Sequence, residues 1–318
     1  MIALVTGGTG FIGTNLIMRL LAEGHEVRVI DIAVPDGFRA AIKGHKVKVE
    51  RADVCTLRRR AMDALCKDVH VIFHLAALGS VPRSIKRPME VYKANVEGTL
   101  AVLERARKST INRLIFASSS SVYGDTKVLP KHESMPAQPQ SPYAASKLIG
   151  ELYCQQYARH FAVPAVALRL FNVFGAHQRA DVEYPALIPI WIRTLLQGKR
   201  CTAFGSLETS RDWTHVDNVV DAMLRVANVS ADRVVGRVFN VGTGRRSSLR
   251  HVHRCLCAML TRPYNIKCLP KRAGDVQHSL ADISALREAV AYVPRVGFGT
   301  GLRMTLKWWK QQANAQTP

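Results

Sequence analysis

With 318 residues and 47% hydrophobic content, the chain can bury a substantial core, which excludes a disordered protein. Its 7 cysteines form no C-x-x-C pair, and their odd number argues against a disulfide framework and for reduced thiols in a cytoplasmic protein. The 45 Lys and Arg against 24 Asp and Glu give +21; these basic residues are spread along the chain in short clusters, so a solvated basic surface is expected ahead of a nucleic-acid site.

In chain order, the opening Met1 to Val5 runs directly into glycines, so neither a signal peptide nor a membrane anchor is expected there. Short apolar runs then alternate with helical periodicity. They predict strands over 3–6, 26–30, 47–51, 69–74, 114–118 and 165–170, with helices over 12–23, 58–67, 91–108 and 143–160. That alternation predicts an α/β fold, a doubly wound parallel sheet of the Rossmann type. After Asn172 prolines interrupt the pattern, so residues 1–172 are expected to form the dinucleotide-binding domain and 173–318 mainly a smaller α/β substrate lobe, with some later segments returning to the first. No metal site is expected; Cys255 and Cys257 beside His251 and His253 are a weak ligand set.

Thr6 to Gly13 follows the first strand and opens the first helix. Gly7 and Gly10 allow a tight turn and close approach of a pyrophosphate, Phe11 and Ile12 begin the helix whose N–H groups face the anion, and Gly13 lets helix and strand pack closely. Asp31 ends the second strand, where a carboxylate accepts from ribose hydroxyls and repels a 2′-phosphate. NAD is therefore the expected cofactor.

The candidate catalytic residues are Ser119, Tyr143 and Lys147. Tyr143 and Lys147 share one face of a helix that Ser141 and Pro142 can start, so an ammonium can stabilise a phenolate and make the tyrosine a general base. Ser119, at the end of a strand, can bond the same substrate hydroxyl and relay its proton.

The G-x-x-G-x-x-G loop, Ser119 and the Tyr-x-x-x-Lys pair together resemble the extended short-chain dehydrogenase/reductase family of NAD-dependent nucleotide-sugar epimerases and dehydratases, over nearly the whole chain. The resemblance implies that Asp53 and Val54 contact adenine, that Leu75, Ala76 and Ala77 line the cofactor, and that Asn95 supports the central helix. Ser141 to Lys147, Leu168 to Gly175 and Ser210 to Asp217 are similar to nucleotide-sugar 4-epimerases. By that likeness Phe171 touches the nicotinamide, Asn172 holds the diphosphate and sugar side, Thr202 and Phe204 line the uracil, Arg211 and Arg272 clamp the diphosphate, and Asp275 meets the ribose. Ser80 and Arg83 lie in a segment resembling the branch that acts on UDP-N-acetylglucosamine.

Ser120 and Ser121 stand where related dehydratases carry an Asp-Glu pair for water elimination. Hydride transfer without elimination is therefore expected, as 4-epimerisation through a transient 4-keto sugar. Ser279 replaces the bulky tyrosine usual in epimerases restricted to plain hexoses, which points to an N-acetylated sugar. UDP-N-acetylglucosamine is the leading substrate, with UDP-glucuronate and UDP-glucose as rivals; a dehydratase or reductase, and a basic RNA-binding protein on this fold, are the other readings. The resemblance also implies a homodimer through the helices beginning near Val91 and Tyr143.

Overall fold

A computed structural model describes residues 1–57, 59–271 and 276–315. The principal strands are β1 (Ile2–Thr6), β2 (Glu26–Asp31), β3 (Val47–Arg51), β4 (Val71–His74), β5 (Arg113–Ser119) and β6 (Ala165–Leu170). The remainder are β7 (Val173–Phe174), β8 (Cys201–Phe204), β9 (Ser210–Arg211), β10 (Thr214–His215), β11 (Val238–Val241), β12 (Ser247–Ser248) and β13 (Ile266–Leu269). The helices are α1 (Phe11–Ala22), α2 (Asp36–Ala41), α3 (Arg59–Cys66), α4 (Val81–Lys86), α5 (Pro88–Tyr92), α6 (Gly98–Ala106), α7 (Pro142–Phe161), α8 (Leu187–Leu196), α9 (Val216–Asn228), α10 (Leu249–Leu260), α11 (Ser284–Val290) and α12 (Phe298–Ala315).

Seven strands form one parallel sheet in the order β11-β6-β5-β4-β1-β2-β3. Alternate residues of β1 enter opposite cores: Ala3 and Val5 pack with Leu16, Ile17 and Met223, whereas Leu4 packs with Leu103, Phe116 and Cys154. With both faces covered, β4 and β6 are buried throughout. A third core, around Trp191, Ile192, Ala203, Val252, Leu256 and Leu302, is built from residues after Asn172. Chain order reverses between β1 and β4, whose ends meet at Thr6 and His74. A doubly wound sheet binds ligands at such a switch point.

The chain crosses Asn172 and then returns. β11 pairs with β6 as an outer strand, and Val219, Met223 and Leu286 of α9 and α11 fill the first core. The helix expected over 91–108 is instead α5, a π-helical turn over Lys93–Glu97 and α6. The wide turn carries Asn95, which accepts from Leu78 N at 2.8 Å, and its carbonyl accepts from Thr99 Oγ1 at 2.6 Å. The short helices α2 and α4 lie in segments where no helix is expected from the periodicity. Among the described residues no helix is long and apolar enough to cross a membrane.

Candidate active site

Gly7 lies at φ +68°, and a Cβ there would sit 2.6 Å from Ala76 N, so the turn after β1 is pressed against the loop after β4. A Cβ at Gly13 would come within 2.6 Å of Gly7 O, so α1 packs as closely as the spacing predicts. Gly10 caps α1 without any side-chain hydrogen bond, which leaves the first N–H groups of the helix, at Phe11 and Ile12, without a side-chain cap. Asp31 accepts from Thr9 N at 3.0 Å and Ala33 N at 3.4 Å, closing its carboxylate over the loop. A donor-rich helix start, a loop without side chains at Gly7 and Gly10, and an acceptor at the ribose position fit a dinucleotide.

The other cofactor candidates follow β3 and β4 or sit on the turn before α6. Leu75 N donates to Thr6 O at 3.0 Å and Ala76 N to Thr6 Oγ1 at 3.4 Å, with half-buried Ala77 following. Asp53 accepts from Cys55 N at 2.8 Å, and Val54 is buried in the core on that side. Asn95 joins the loop after β4 to α7, because Nδ2 donates to Ser146 Oγ at 2.9 Å. At the end of β4, His74 bridges Thr6 Oγ1 at 2.7 Å and Thr99 Oγ1 at 3.0 Å. Burial first, and the Lys147 charge second, push it down to about 3, so it stays neutral and serves as a strut.

Ser141 caps α7, its Oγ accepting from Ala144 N at 3.1 Å, and Pro142 occupies the first turn. One face of that helix brings Tyr143 and Lys147 to the end of β5. Lys147 is buried, donates to Ala117 O at 2.8 Å and lies 5.0 Å from the centre of the Phe116 ring. Burial pulls its pKa down to about 8, while the thiol of Cys154 and the carboxylate of Glu151 act to raise it. Burial raises the Tyr143 pKa, and the hydrogen bond with Ser119 works against that rise. Lys147 thus lies one helical turn from Tyr143 with its ammonium on the Ala117 carbonyl.

On the sugar side, Asn172 adopts φ +27° and accepts from Ser279 Oγ at 2.9 Å. Thr202 and Phe204 lie half-buried on β8, where Trp191 Nε1 donates to Thr202 O at 2.8 Å. Arg211 donates to Ser210 O at 3.0 Å, Gln277 O at 2.9 Å and the Val276 carbonyl. Phe171 is fully buried, its ring 6.2 Å from that of Tyr123. Ser80 caps α4 by accepting from Arg83 N at 3.2 Å, and Arg83 pairs with Glu183 at 2.8 Å. Arg272 and Asp275 lie outside the described residues. Among the described residues no group of three or more His, Cys, Asp or Glu could hold a metal ion; Cys255 and Cys257 only meet His251 and His253 at 3.5 and 3.7 Å along α10.

Two buried features carried no obvious signal in the sequence. Arg169 on β6 forms a bidentate pair with Glu151 on α7 at 2.7 and 3.0 Å, and Ser118 Oγ donates to that same carboxylate. Lys131, 1% exposed, donates to Gly124 O at 2.8 Å. The only hint of the first was a carboxylate one helical turn beyond Lys147.

Comparison with known proteins agrees with this geometry. The NAD dependent epimerase/dehydratase family matches residues 3–242. A UDP-glucose 4-epimerase of Mycolicibacterium smegmatis is 34% identical over 98% of this chain and 99% of its own length. The structure of a UDP-N-acetylglucosamine 4-epimerase from Methanobrevibacter ruminantium, in complex with UDP-N-acetylmuramic acid, superposes with a TM-score of 0.91 at 32% identity, covering 98% of each chain. That of a UDP-glucuronic acid 4-epimerase from Bacillus cereus, with UDP-glucuronic acid and NAD, gives 0.90 at 28% identity over 98% of this chain and 100% of the other. The glycine turn, the Ser119, Tyr143 and Lys147 cluster and a match over most of the sequence make this chain a member of the NAD-dependent epimerase/dehydratase family.

Proposed function

We propose that this enzyme interconverts the C4 epimers of a UDP-hexose, with UDP-N-acetylglucosamine and UDP-N-acetylgalactosamine as the favoured pair. The observation that carries the reading is the convergence of Ser119, Tyr143 and Lys147 at the end of β5 beside two serines, Ser120 and Ser121, and no carboxylate at those positions. NAD, when bound, supplies reversible oxidation at C4. Tyr143 takes the proton from the sugar O4 and returns it after the sugar has turned over, and Ser119 orients that hydroxyl by sharing its hydrogen bond. Lys147 keeps a positive charge behind the phenol. Without an acid and base at 120 and 121, the chain lacks the groups that would expel water. Net oxidation is zero, so no added reductant is needed.

The short Ser279 beside Asn172 supports an N-acetylated sugar, and the resemblance of residues 77–84 points the same way. Unbridged cysteines throughout support a reducing compartment such as the cytoplasm. Exposed Met89, Tyr92, Leu152 and Phe161 on α5 and α7 support a homodimer joined through these helices. The deciding experiment incubates the purified protein with a panel of UDP-sugars and no added NADH, then follows products by mass spectrometry and sugar NMR. Interconversion of UDP-N-acetylglucosamine is the expected result; turnover of only UDP-glucuronate or UDP-glucose selects the rival substrate. An accumulating keto product, or a requirement for NADH, rejects epimerisation.

A further inference from the structure

The buried carboxylate of Glu151 has no part in the chemistry described above, yet its surroundings are built around it. Its side chain is 2% exposed and that of Arg169 7% exposed. Arg169 donates from Nε and Nη2, and Ser118, the residue before Ser119, donates its hydroxyl to Glu151 Oε1. The far side of Arg169 stacks 4.6 Å from the Tyr123 ring, whose hydroxyl donates to Asn240 Oδ1 at 2.7 Å. One residue further along the chain from Lys147's own acceptor, Ala117, lies Ser118. Thus two adjacent residues of β5 are bonded to two residues one turn apart on α7, Ala117 to Lys147 and Ser118 to Glu151.

We propose that Glu151 is a positioning residue for the reaction: through Ser118 it fixes the end of β5 against α7, and its negative charge holds the Lys147 ammonium behind Tyr143. A buried ion pair contributes little net stability compared with apolar side chains of the same volume, so stability alone gives weak reason for one here. The groups whose charges bear on Lys147 are Glu151 and Cys154 on its own helix and His74 on β4, with Arg169 on β6 paired to Glu151. His74 is neutral and the Cys154 thiol is raised by burial, so neither supplies a negative charge at neutral pH. Glu151 is the carboxylate of that set, and its field opposes the desolvation that strips the proton from Lys147.

The inference rests on the reading of Tyr143 and Lys147 as the reacting pair, and its test separates the two. In Glu151→Gln, the Lys147 ammonium, followed by NMR of isotope-labelled lysine and assigned with Lys147→Arg, should titrate at least about one pH unit lower than in the parent. The kcat for the UDP-sugar should fall on the order of 10-fold or more, with KM within about twofold, and its alkaline limb should move down with the lysine. Because Arg169 is then left buried and unpaired, Glu151→Leu combined with Arg169→Met provides a second variant expected to fold, and it should shift the lysine and the limb in the same direction. An unmoved lysine titration in a folded variant overturns the proposal, even if kcat falls, because Glu151 would then be only a strut. A shifted lysine in a protein whose parent turns over no UDP-sugar would leave this inference standing and remove the proposed function.

Discussion

Ser279 donates its hydroxyl to Asn172 Oδ1 at 2.9 Å, joining the segment after β13 to the residue that closes β6. Asn172 is held there in a left-handed conformation, and its carbonyl accepts from Thr214 N at 3.2 Å. Under the proposed function, the length of residue 279 sets the space for the sugar beside that amide. Ser279→Tyr should lower kcat/KM for UDP-N-acetylglucosamine on the order of 100-fold while leaving UDP-glucose within about fivefold, because a filled pocket excludes the larger sugar. Steady-state kinetics on the two sugars check this. Equal losses on both would show that the substitution disturbs Asn172 and not pocket size.

Tyr143→Phe retains the ring and its burial but removes the proton carrier. It should lower kcat by about 10²-fold to 10⁴-fold and leave binding of the nucleotide sugar, measured by calorimetry, within a small factor. The pH profile should be confined on both sides. Burial raises Tyr143, so its base form becomes scarce as pH falls, and the ammonium of Lys147 is lost as pH rises through about 8. Lys147→Arg, whose guanidinium stays charged, should flatten the alkaline limb even where the maximal rate is reduced.

Stability should move the other way at Lys147. Its folded pKa, about 8, lies below the ordinary 10.5, so between those values the unfolded chain binds more protons and stability rises with pH. Below about 8 the fold carries the full cost of the buried charge. Lys147→Met should then raise stability by about 1–3 kcal/mol at pH 7 while abolishing turnover, the loss of the Ala117 hydrogen bond and of the attraction to Glu151 holding the gain below the whole shift. Denaturant titration at pH 7 and 10 tests it, since the advantage should shrink at the higher pH.

The exposed apolar residues on α5 and α7 make a separate test. Met89 and Leu152 are 64% and 50% exposed, and Tyr153, Tyr157 and Phe161 stack along one side of α7 at 6.5 and 5.0 Å. Met89→Glu with Leu152→Glu should convert a dimer to a monomer in sedimentation velocity without lowering the melting temperature of the isolated chain. A parent that sediments as a monomer at micromolar concentration would remove the dimer from the proposal.

The parts of the site that could be read in advance depend on local spacing. Gly7 and Gly13 follow from the needs of a strand-to-helix turn, Tyr143 and Lys147 from one helical turn, and β4 and β6 from unbroken apolar runs. What escaped depends on which elements face one another. The Glu151 and Arg169 pair joins a helix to a strand, Arg83 and Glu183 meet from segments far apart, and Asn95 on the π turn accepts from Leu78 N. The bonds from Arg211 to the Val276 and Gln277 carbonyls are of the same kind, since they depend on a distant segment lying beside it.

Asp212 joins three separate stretches of the chain. Fully buried, its carboxylate accepts from Thr243 N at 2.9 Å, Thr243 Oγ1 at 2.7 Å, Gly244 N at 3.0 Å and Ala281 N at 3.3 Å, tying β9 to the loop after β11 and to the strand-like segment that carries Ser279. Burial raises its pKa while these donors act to lower it. Asp212→Ala removes the acceptor and leaves several donors without partners in a dry site, so it should cost about 3–5 kcal/mol. Asp212→Asn keeps the shape but turns part of the carboxylate into a donor facing other N–H groups, and it should cost less than alanine while still exceeding 1 kcal/mol or so. Since Ala281 lies two residues beyond Ser279, hydrogen exchange of residues 276–282 should accelerate in both variants more than that of β1 or β5. Uniform acceleration across the sheet would instead mean that Asp212 supports the whole fold and not this attachment.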